Sequence, residues 1–529
     1  MSADPLRIDY VSPLPPTRTG IADYSRDLLP HLEPLCDLRV VRLPGQEVAA
    51  QIADRWPPVA MTALGEGGRL PLYQMGNNRH HLEVWRAAMA TPGVLTLHDL
   101  VLHHFQLDRT LGHGDYPAYE RQLALDHGWV GEAAARPVRF GGYGLAAQFA
   151  LPAHRDLLRR QRGVLVHSAW AAERVGQEDP ELWVRAVPMA MPLPPAGDPA
   201  AGRGFRERRG LPLTAPLLGS FGFQTPMKRS DRVIRALAQE PLREARLVVA
   251  GEVAEVCDLE GEARRAGVAD RVRFLGYLPY ADLEEAIAAV DLCLNLRYPT
   301  AGETSASLLR VLAVGCPVVV SDFAQFAELP PAVALRVAPG EGEVEALAAR
   351  AGELLADPER LRQMAAAARE HVAGEHDPGR AARAIAAACA EAAERPPPGP
   401  APPSLPAPTS LAWGRLPGEI SVDGLEGWPP GGRRRLRVTL RNRGPARWLA
   451  AERGSGGIAL RIGLYGDGGD LLADRPWLPL PRDLAPGEEV SLEPELRRPP
   501  GAARLVVEPH VLGGGVMHRF GGPAWEAEI

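Results

Sequence analysis

Lysine is almost absent from this chain of 529 residues. Among its 59 basic residues, Lys228 is the one lysine, and every other basic residue is arginine. Arginine and lysine are not interchangeable, because an ammonium is a compact point charge and a guanidinium is a planar fork of donors. A lysine kept in such a chain indicates a position that needs the compact charge; chance survival of one lysine is the alternative.

Other features are missing as well. No apolar run approaches the roughly 18 residues of a membrane span, and a net charge of −6 provides no basic field for nucleic acid. The first residues lack the charged and apolar regions of a signal peptide. The five cysteines are scattered without a CxxC pair, which favours reduced thiols. We therefore predict a cytoplasmic protein with no transmembrane segment and no nucleic-acid partner; peripheral contact with a membrane stays open.

The length predicts three or four domains. Strand-like apolar runs alternate with helical patterns until about residue 394, whereas later runs such as Leu436, Val438 and Leu440 alternate with a period of two. The predicted segments are a Rossmann-like domain (1–195), a second Rossmann-like domain (205–375), a helix that crosses back to the first (376–394), a proline-rich linker (395–410) and an antiparallel β-sandwich (411–529). The predicted fold class is therefore α/β with an appended β-sandwich.

Half of the ten tryptophans fall in the predicted sandwich: Trp413, Trp428, Trp448, Trp477 and Trp525. Buried core positions are the common explanation for such residues. A face on which carbohydrate rings stack is the alternative, because tryptophan offers a large apolar surface with one polar group.

The stretch GETSASLLRVLAVGCPVVVSD, from Gly302 to Asp322, predicts a helix followed by a buried strand. Thr304 or Ser305 is placed to cap the helix, and Gly315 to end it. The free N–H groups and the dipole of a helix start favour an anion such as a diphosphate. Glu303, just before that start, offers a carboxylate to sugar hydroxyls. A purely structural βαβ unit with Glu303 near the helix start is the alternative.

Polar residues also follow the other predicted strands. Gly20 opens the helix Gly20 to Leu32, Asn77 follows the strand Leu70 to Met75, and further strands end at His98 and Asp99 and at His167 and Ser168. In an open parallel sheet the ligand lies beyond the carboxyl ends of the strands, so these groups are expected to line one cleft.

In the second Rossmann-like segment, the strand Leu217 to Phe221 leads into Gly222, Gln224, Lys228 and Arg229. A lysine just before a helix start is well placed to neutralise a diphosphate. Gly251 and Tyr277 follow the next two strands, and Tyr277 is either a base-stacking side chain or a buried aromatic.

These motifs resemble the retaining GT-B glycosyltransferases of family 4, the glycosyl transferases group 1. The resemblance lies in TGIADYS, YQMGNN, LHD, the lysine of FGFQTPMKR, and the GETSASLLRVLAVGCPVVVSD stretch. Two positions depart from the family pattern: Arg310 stands where the second glutamate of its motif is usual, and Phe223 stands where an arginine is usual. The C-terminal segment loosely resembles Ig-like accessory modules.

The resemblance implies transfer of a sugar from a nucleoside diphosphate sugar to a glycan, lipid-linked or small-molecule acceptor, with retention of configuration and without a metal or another cofactor. Polysaccharide assembly in bacteria is the commonest setting of the family. The alternative is a binding protein on a GT-B scaffold that has lost transfer. The predicted catalytic residues are His98, Lys228 and Glu303; the donor-binding residues are Gly20, Gly222, Gln224, Arg229, Gly251, Tyr277, Thr304, Ser305 and Arg310; the acceptor-side residues are Asn77, Asp99, His167 and Ser168.

Overall fold

The computed structural model describes residues 5–140, 145–194, 199–396, 410, 416–444, 446–453, 457–512, 515–520 and 522–529. Trp413 and most of the predicted linker lie outside the described residues. The chain forms two compact units, one from residues 1–105 and 148–400 and one from residues 106–147 and 401–529. The boundaries of the five predicted segments stay predictions.

The first sheet has seven parallel strands in the order β3-β2-β1-β4-β5-β6-β7. Its central strands are apolar and buried, as expected of a parallel sheet covered on both faces. The strands are β1 (Arg7–Val11), β2 (Asp37–Arg42), β3 (Val59–Ala60), β4 (Leu70–Met75), β5 (Val94–Leu97), β6 (Gly163–Val166) and β7 (Val184–Ala186). The α-helices up to residue 208 are α1 (Gly20–Leu32), α2 (Ala50–Ala53), α3 (Leu82–Ala90), α4 (His103–Arg109), α5 (Tyr116–Ala135), α6 (Leu145–Ala150), α7 (Arg155–Arg159), α8 (Ala169–Glu178) and α9 (Pro199–Arg208).

The second sheet has six parallel strands in the order β10-β9-β8-β11-β12-β13. Its strands are β8 (Leu217–Phe221), β9 (Arg246–Ala250), β10 (Val272–Gly276), β11 (Leu292–Asn295), β12 (Val318–Ser321) and β13 (Ala334–Val337). Its helices are α10 (Ser230–Leu237), α11 (Leu259–Arg265), α12 (Tyr280–Ala288), α13 (Ala306–Val314), α14 (Glu343–Leu355) and α15 (Pro358–Glu375). Both sheets thus present the carboxyl ends of parallel strands, where ligands bind in open α/β folds.

The last helix of the first unit, α16 (Pro378–Glu394), packs against the first sheet. Glu391 on α16 accepts a hydrogen bond from Trp183 Nε1 at 2.9 Å and forms an ion pair with Arg185 at 2.7 Å. The small, buried side chains of Ala381 and Ala382 allow close packing of this helix. The chain therefore returns to the first sheet after completing the second.

Residues 105–160 contain more helix than the glycine-rich sequence indicates. The described part includes the 20-residue helix α5, which bends at Gly128, where φ is +59°. The FGGYG turn falls largely outside the described residues.

The C-terminal strands of the second unit are almost all antiparallel; the short pairing of β17 with β18 is parallel. They are β14 (Gly418–Asp423), β15 (Arg433–Arg435), β16 (Arg437–Asn442), β17 (Leu449–Ala450), β18 (Gly457–Gly466), β19 (Leu471–Pro479), β20 (Glu489–Leu492), β21 (Glu495–Arg497), β22 (Ala502–Val511), β23 (Gly515–Val516) and β24 (Trp525–Glu528). Apolar side chains of β16, β18 and β22 form one core. Trp428 and Trp448 are buried in that core, whereas Trp477 is 54% exposed. The core explanation therefore holds for two tryptophans and not for Trp477.

Candidate active site

A cavity of about 410 Å³ lies between the start of α1 and the second sheet, and is called here the Gly20 cavity. Thr19 caps α1 by accepting a hydrogen bond from the Ala22 N–H at 3.1 Å. A Cβ atom added at Gly20 would meet no other atom within 4 Å. Tyr277, which lines the opposite wall, is 62% exposed and is not a buried core aromatic. The predicted residues Gly20, Tyr277 and Arg310 share this cavity.

Helix α13 has the cap and the end that the sequence predicts. The Ser305 hydroxyl accepts a hydrogen bond from the Leu308 N–H at 3.3 Å, and Gly315 ends the helix with φ +89°. Ala306 and Ser307 line the Gly20 cavity. Thr304 and Ser305 instead line a second cavity of about 400 Å³ on the other side, called here the His167 cavity. The first turn of α13 therefore separates two cavities.

Lys228 lies at the end of the turn after β8 and is 6% exposed. Its Nζ donates a hydrogen bond to the Phe221 carbonyl. A Cβ at Gly222 would lie 2.8 Å from Nζ and 3.4 Å from the Ser307 side chain, so the ammonium is close to the first turn of α13. Burial, and next the positive charge of Arg297, lower the pKa of Lys228 to about 7. Among the described residues no carboxylate forms an ion pair with Lys228, so an anion at this place would be attracted to its charge.

Glu303 forms an ion pair with Arg297, whose Nε lies 2.9 Å from its Oε1. Thr300 donates a hydrogen bond to the other oxygen of Glu303 at 2.9 Å. Arg297 lies two residues beyond the end of β11, but our sequence analysis did not select it. The usable signal was its position just beyond a buried strand, which had identified His98 and His167; in a chain so rich in arginine, residue type alone carried no signal.

Asp99 lies close enough to Glu303 and Arg297 to interact with their charges. Burial, and next the negative charge of Glu303, raise the pKa of Asp99 to about 7. Its carboxylate accepts a hydrogen bond from the Asn77 N–H at 2.8 Å. We call Asp99, Lys228, Arg297 and Glu303 the charged cluster. It joins groups from both sheets, with two cations and two carboxyl groups.

His98 and His167 contact each other, with His98 Nδ1 and His167 Nε2 3.2 Å apart. Since the Val187 carbonyl only accepts, His167 donates through Nδ1 to it at 3.2 Å. His98 Nε2 lies 2.9 Å from the side-chain amide of Gln74. Burial lowers the pKa of His98 well below its usual range and that of His167 to about 4, so both rings are neutral near pH 7. Both nitrogens of His98 have partners, and one partner must give way before the ring contacts a sugar.

Two predicted donor-binding side chains point elsewhere. Gln224 is fully buried and donates to the Gly222 carbonyl at 2.6 Å while it accepts from Ser230. Arg229 forms an ion pair with the buried Glu343, with Nε 2.7 Å from Oε1. Both are predicted donor-binding residues. In this structure their local hydrogen bonds and ion pair hold the turn in place.

Two of the predicted glycines, Gly222 and Gly251, are required by the backbone. Gly222 has φ +94° and Gly251 has φ +133°, which side chains other than hydrogen rarely adopt. A Cβ at Gly251 would lie 2.2 Å from the Gly222 carbonyl oxygen. The two turns after β8 and β9 therefore pack directly on each other, beside Lys228.

Arg310 is held on the wall of the Gly20 cavity by two neighbours. Its guanidinium carbon lies 3.9 Å from the ring centroid of Tyr280, and its Nη1 lies 3.2 Å from Glu284. Tyr280 donates through its hydroxyl to Asp23 on α1 at 3.1 Å. These side chains connect the second sheet to the first across the cavity, and the sequence did not reveal the connection because Asp23 and Tyr280 are 257 positions apart.

The remaining acceptor-side residues mainly hold local structure. The Asn77 side chain accepts from the Phe105 N–H at 2.8 Å, and Ser168 caps α8 by accepting from the Ala171 N–H at 3.1 Å. His167 and Ser168 line the His167 cavity and not the Gly20 cavity. In the part of the chain that the structure describes, no group of three His, Cys, Asp or Glu side chains is arranged to hold a metal.

Comparison with known proteins shows which family and which solved structures this chain resembles. Residues 204–371 match the model of the family Glycosyl transferases group 1. HepE of Anabaena, solved in complex with UDP, aligns over 73% of this chain and all of its own, with a TM-score of 0.51 and 16% sequence identity. The chain contains a GT-B fold. Together with the C-terminal antiparallel strands, this confirms the predicted fold class of two Rossmann-like domains with a C-terminal antiparallel β-region. The family match covers the second Rossmann-like domain.

Two curated relatives also resemble the GT-B part. D-inositol 3-phosphate glycosyltransferase 2 of Catenulispora acidiphila is 34% identical over 134 residues, which are 23% of this chain and 31% of the relative. The 2-deoxystreptamine glucosyltransferase of Streptomyces kanamyceticus is 26% identical over 224 residues, which are 41% of this chain and 55% of the relative. The alignments thus span about a third and about half of these relatives.

Proposed function

We propose that this GT-B protein transfers a sugar from a nucleoside diphosphate sugar to an acceptor hydroxyl with retention of anomeric configuration. One observation carries the proposal: the single lysine of the chain is buried beside the first turn of α13, and Ser307 of that turn lines the Gly20 cavity. An ammonium and a helix start together form a site for an anion. A diphosphate is the anion that a sugar donor of this fold would bring.

The comparisons support this choice of donor. Both curated relatives carry glycosyltransferase names, and HepE was solved with UDP. We therefore propose UDP as the first nucleotide to test. The acceptor, whether a glycan, a lipid-linked sugar or a small molecule, is proposed only as a class, because the relatives named for small acceptors align over part of their length.

In the proposed reaction the bond between the anomeric carbon and the diphosphate oxygen breaks, and the diphosphate leaves with its electron pair. The acceptor oxygen bonds to the anomeric carbon on the same face, and the proton of the acceptor hydroxyl passes to the departing diphosphate. Stabilising the departing negative charge is the main electrostatic task. Lys228 and the N–H groups of α13 would perform it, with no metal or further cofactor required. Glu303 would accept hydrogen bonds from the transferred sugar.

Calorimetry with UDP, GDP, ADP and dTDP sugars, followed by detection of the free nucleoside diphosphate, tests the proposal. We expect one nucleotide to bind selectively and to be released when an acceptor is added. Lys228→Ala is expected to lower turnover by at least about a hundredfold, because it removes a charge-assisted contact to the leaving group. Unchanged turnover in that variant would remove Lys228 from the site.

The binding-only alternative is favoured by one observation. Arg310 stands where the resembling family has a carboxylate, and it is already held by Tyr280 and Glu284. If the protein only binds, the nucleotide sugar is bound but is not consumed. Prolonged incubation with a panel of acceptors, followed by nuclear magnetic resonance of the donor, separates the two, since transfer changes the anomeric signal and binding alone does not.

In the described part of the chain, each helix is too short or too polar to cross a membrane. We propose a cytoplasmic location, where nucleotide sugars are available; peripheral contact with a membrane would accompany a lipid-linked acceptor. Fractionation of cells that express the full chain tests this proposal.

A further inference from the structure

The anion site described above has an incomplete set of cations. Lys228 provides one positive charge, and burial lowers its pKa to about 7. Phe223, which occupies the position where a second cation is usual in the resembling family, carries no charge and is 56% exposed. Arg229 is paired with Glu343. A diphosphate carries more than one negative charge, so another cation is needed close to Lys228.

The backbone brings Arg297 next to the Lys228 turn. Strands β8 and β11 are neighbours, with Gly219 opposite Cys293, so the segments that follow them run side by side. The Tyr298 N–H donates to the Met227 carbonyl at 2.9 Å. Arg297 precedes one end of this hydrogen bond and Lys228 follows the other. The two cations therefore flank a single backbone contact.

The guanidinium of Arg297 is largely buried, and some of its N–H donors have no acceptor among the described residues. Its side chain is 12% exposed, and its Nε lies 2.9 Å from Glu303 Oε1 in an ion pair that lacks hydrogen-bond geometry. Within the described ranges, the buried Nε has no hydrogen-bond partner and the two terminal nitrogens form no hydrogen bond. A guanidinium has five N–H donors, and its planar fork suits two oxygens of a phosphate. Glu303 thus attracts Arg297 by charge while leaving its donors available.

We propose that Arg297 is the second cation of the diphosphate site and that Glu303 orients it. This inference rests on the proposed function. It replaces the predicted roles of Gln224 and Arg229 with a residue from the neighbouring strand. It also gives Glu303 two partners, Arg297 through Oε1 and the transferred sugar through its remaining acceptor capacity.

Calorimetric titration of the full chain with UDP and with uridine tests the proposal. Uridine lacks phosphate, so a loss confined to UDP reports the diphosphate contact. Arg297→Gln is expected to weaken UDP binding by about ten- to a hundredfold and to leave uridine binding unchanged. Arg297→Lys keeps the charge but loses the planar fork, so its affinity for UDP should lie between those of the wild type and Arg297→Gln. Arg350→Gln, an exposed arginine on α14 with the same charge change, is the matched control.

Glu303→Gln separates contact from positioning. Glutamine keeps a side-chain oxygen beside Arg297 and removes a repelling charge, so UDP should bind Glu303→Gln equally well or more tightly if Arg297 touches the diphosphate. If Arg297 serves only to hold Glu303, Arg297→Gln should bind UDP as the wild type does, because UDP lacks the sugar that Glu303 is proposed to contact, and the proposal is overturned. Circular dichroism and melting curves establish that each variant is folded; a folded Arg297→Lys variant keeps the test decisive should Arg297→Gln unfold.

Different binding results would reject the role of Arg297 and the proposed function. Wild-type protein that binds no nucleoside diphosphate would reject the proposed function. Wild-type protein that binds UDP while Arg297→Gln and Arg297→Lys bind it equally well would reject the role of Arg297 alone.

Discussion

At the scale of single residues, Lys228 lies at the proposed anion site, but its burial there disfavours its positive charge. A buried ammonium without a carboxylate partner costs stability, because burial disfavours the charged form. Its count in the sequence was enough to select it. The local partners of Gln224 and Arg229, which are Gly222, Ser230 and Glu343, could not be predicted, because they are set by the turn geometry and by a helix more than 100 positions away. The proximity of Arg297 to Lys228 became evident only from the strand order, because β8 and β11 are neighbours in the sheet.

The lowered pKa of Lys228 predicts how stability varies with pH. The folded pKa of about 7 lies below the usual lysine pKa of 10.5, so between these values the unfolded chain binds more protons and stability rises with pH. Below pH 7 the penalty is complete. We expect Lys228→Met to raise the melting temperature by several degrees at pH 6 and by less at pH 9.5. Melting curves at pH 6, 8 and 9.5 measure the difference, with Arg350→Gln as control; a gain that grows with pH would contradict the assigned environment.

At the scale of elements, the sequence predicts helices and strands well and the contacts between their ends poorly. Helix Gly20–Leu32 was predicted with the bounds that the structure gives, since its cap and apolar spacing are local. The cap and the glycine end of α13 were predicted for the same reason. In contrast, the packing of the turn at Gly251 on the Gly222 carbonyl depends on β8 and β9 being neighbours. Sequence spacing carries no information about that contact.

Gly251 and Gly267 form a matched pair for testing this contact. Both have positive φ, +133° and +69°, so alanine strains the backbone at each. A Cβ at Gly251 collides with the Gly222 carbonyl, whereas one at Gly267 meets nothing within 4 Å. We expect Gly251→Ala to displace the turn that leads to Lys228 and to weaken UDP binding by more than about tenfold, while Gly267→Ala binds UDP normally with a modest loss of stability. Equal UDP affinities would show that the turn tolerates the clash.

At the scale of the whole molecule, contacts across the cleft were beyond sequence analysis. The hydrogen bond from Tyr280 to Asp23 and that from Thr304 to the His167 carbonyl, at 3.2 Å, join the two sheets across 257 and 137 positions. Single-sequence patterns report local periodicity, so they gave the two Rossmann-like halves without the side chains that connect them. The same limit explains why the predicted site residues do not share one cavity. Some line the Gly20 cavity and some the His167 cavity, whereas His98, Lys228 and Glu303 line neither of these two.

The division of the chain into two compact units predicts what a truncation will do. The proposed donor residues, from Gly20 to Arg310, lie in the unit of residues 1–105 and 148–400. A chain that ends at Glu394 should therefore keep the UDP dissociation constant within about twofold, as expected for distant, independent sites. Residues 106–147 group with 401–529, so the truncated chain should melt at a lower temperature. If the sandwich holds a glycan acceptor, KM for that acceptor rises while KM for the donor does not. A tenfold loss of UDP affinity would instead make the C-terminal region part of the donor site, and titration of both chains with UDP distinguishes the outcomes.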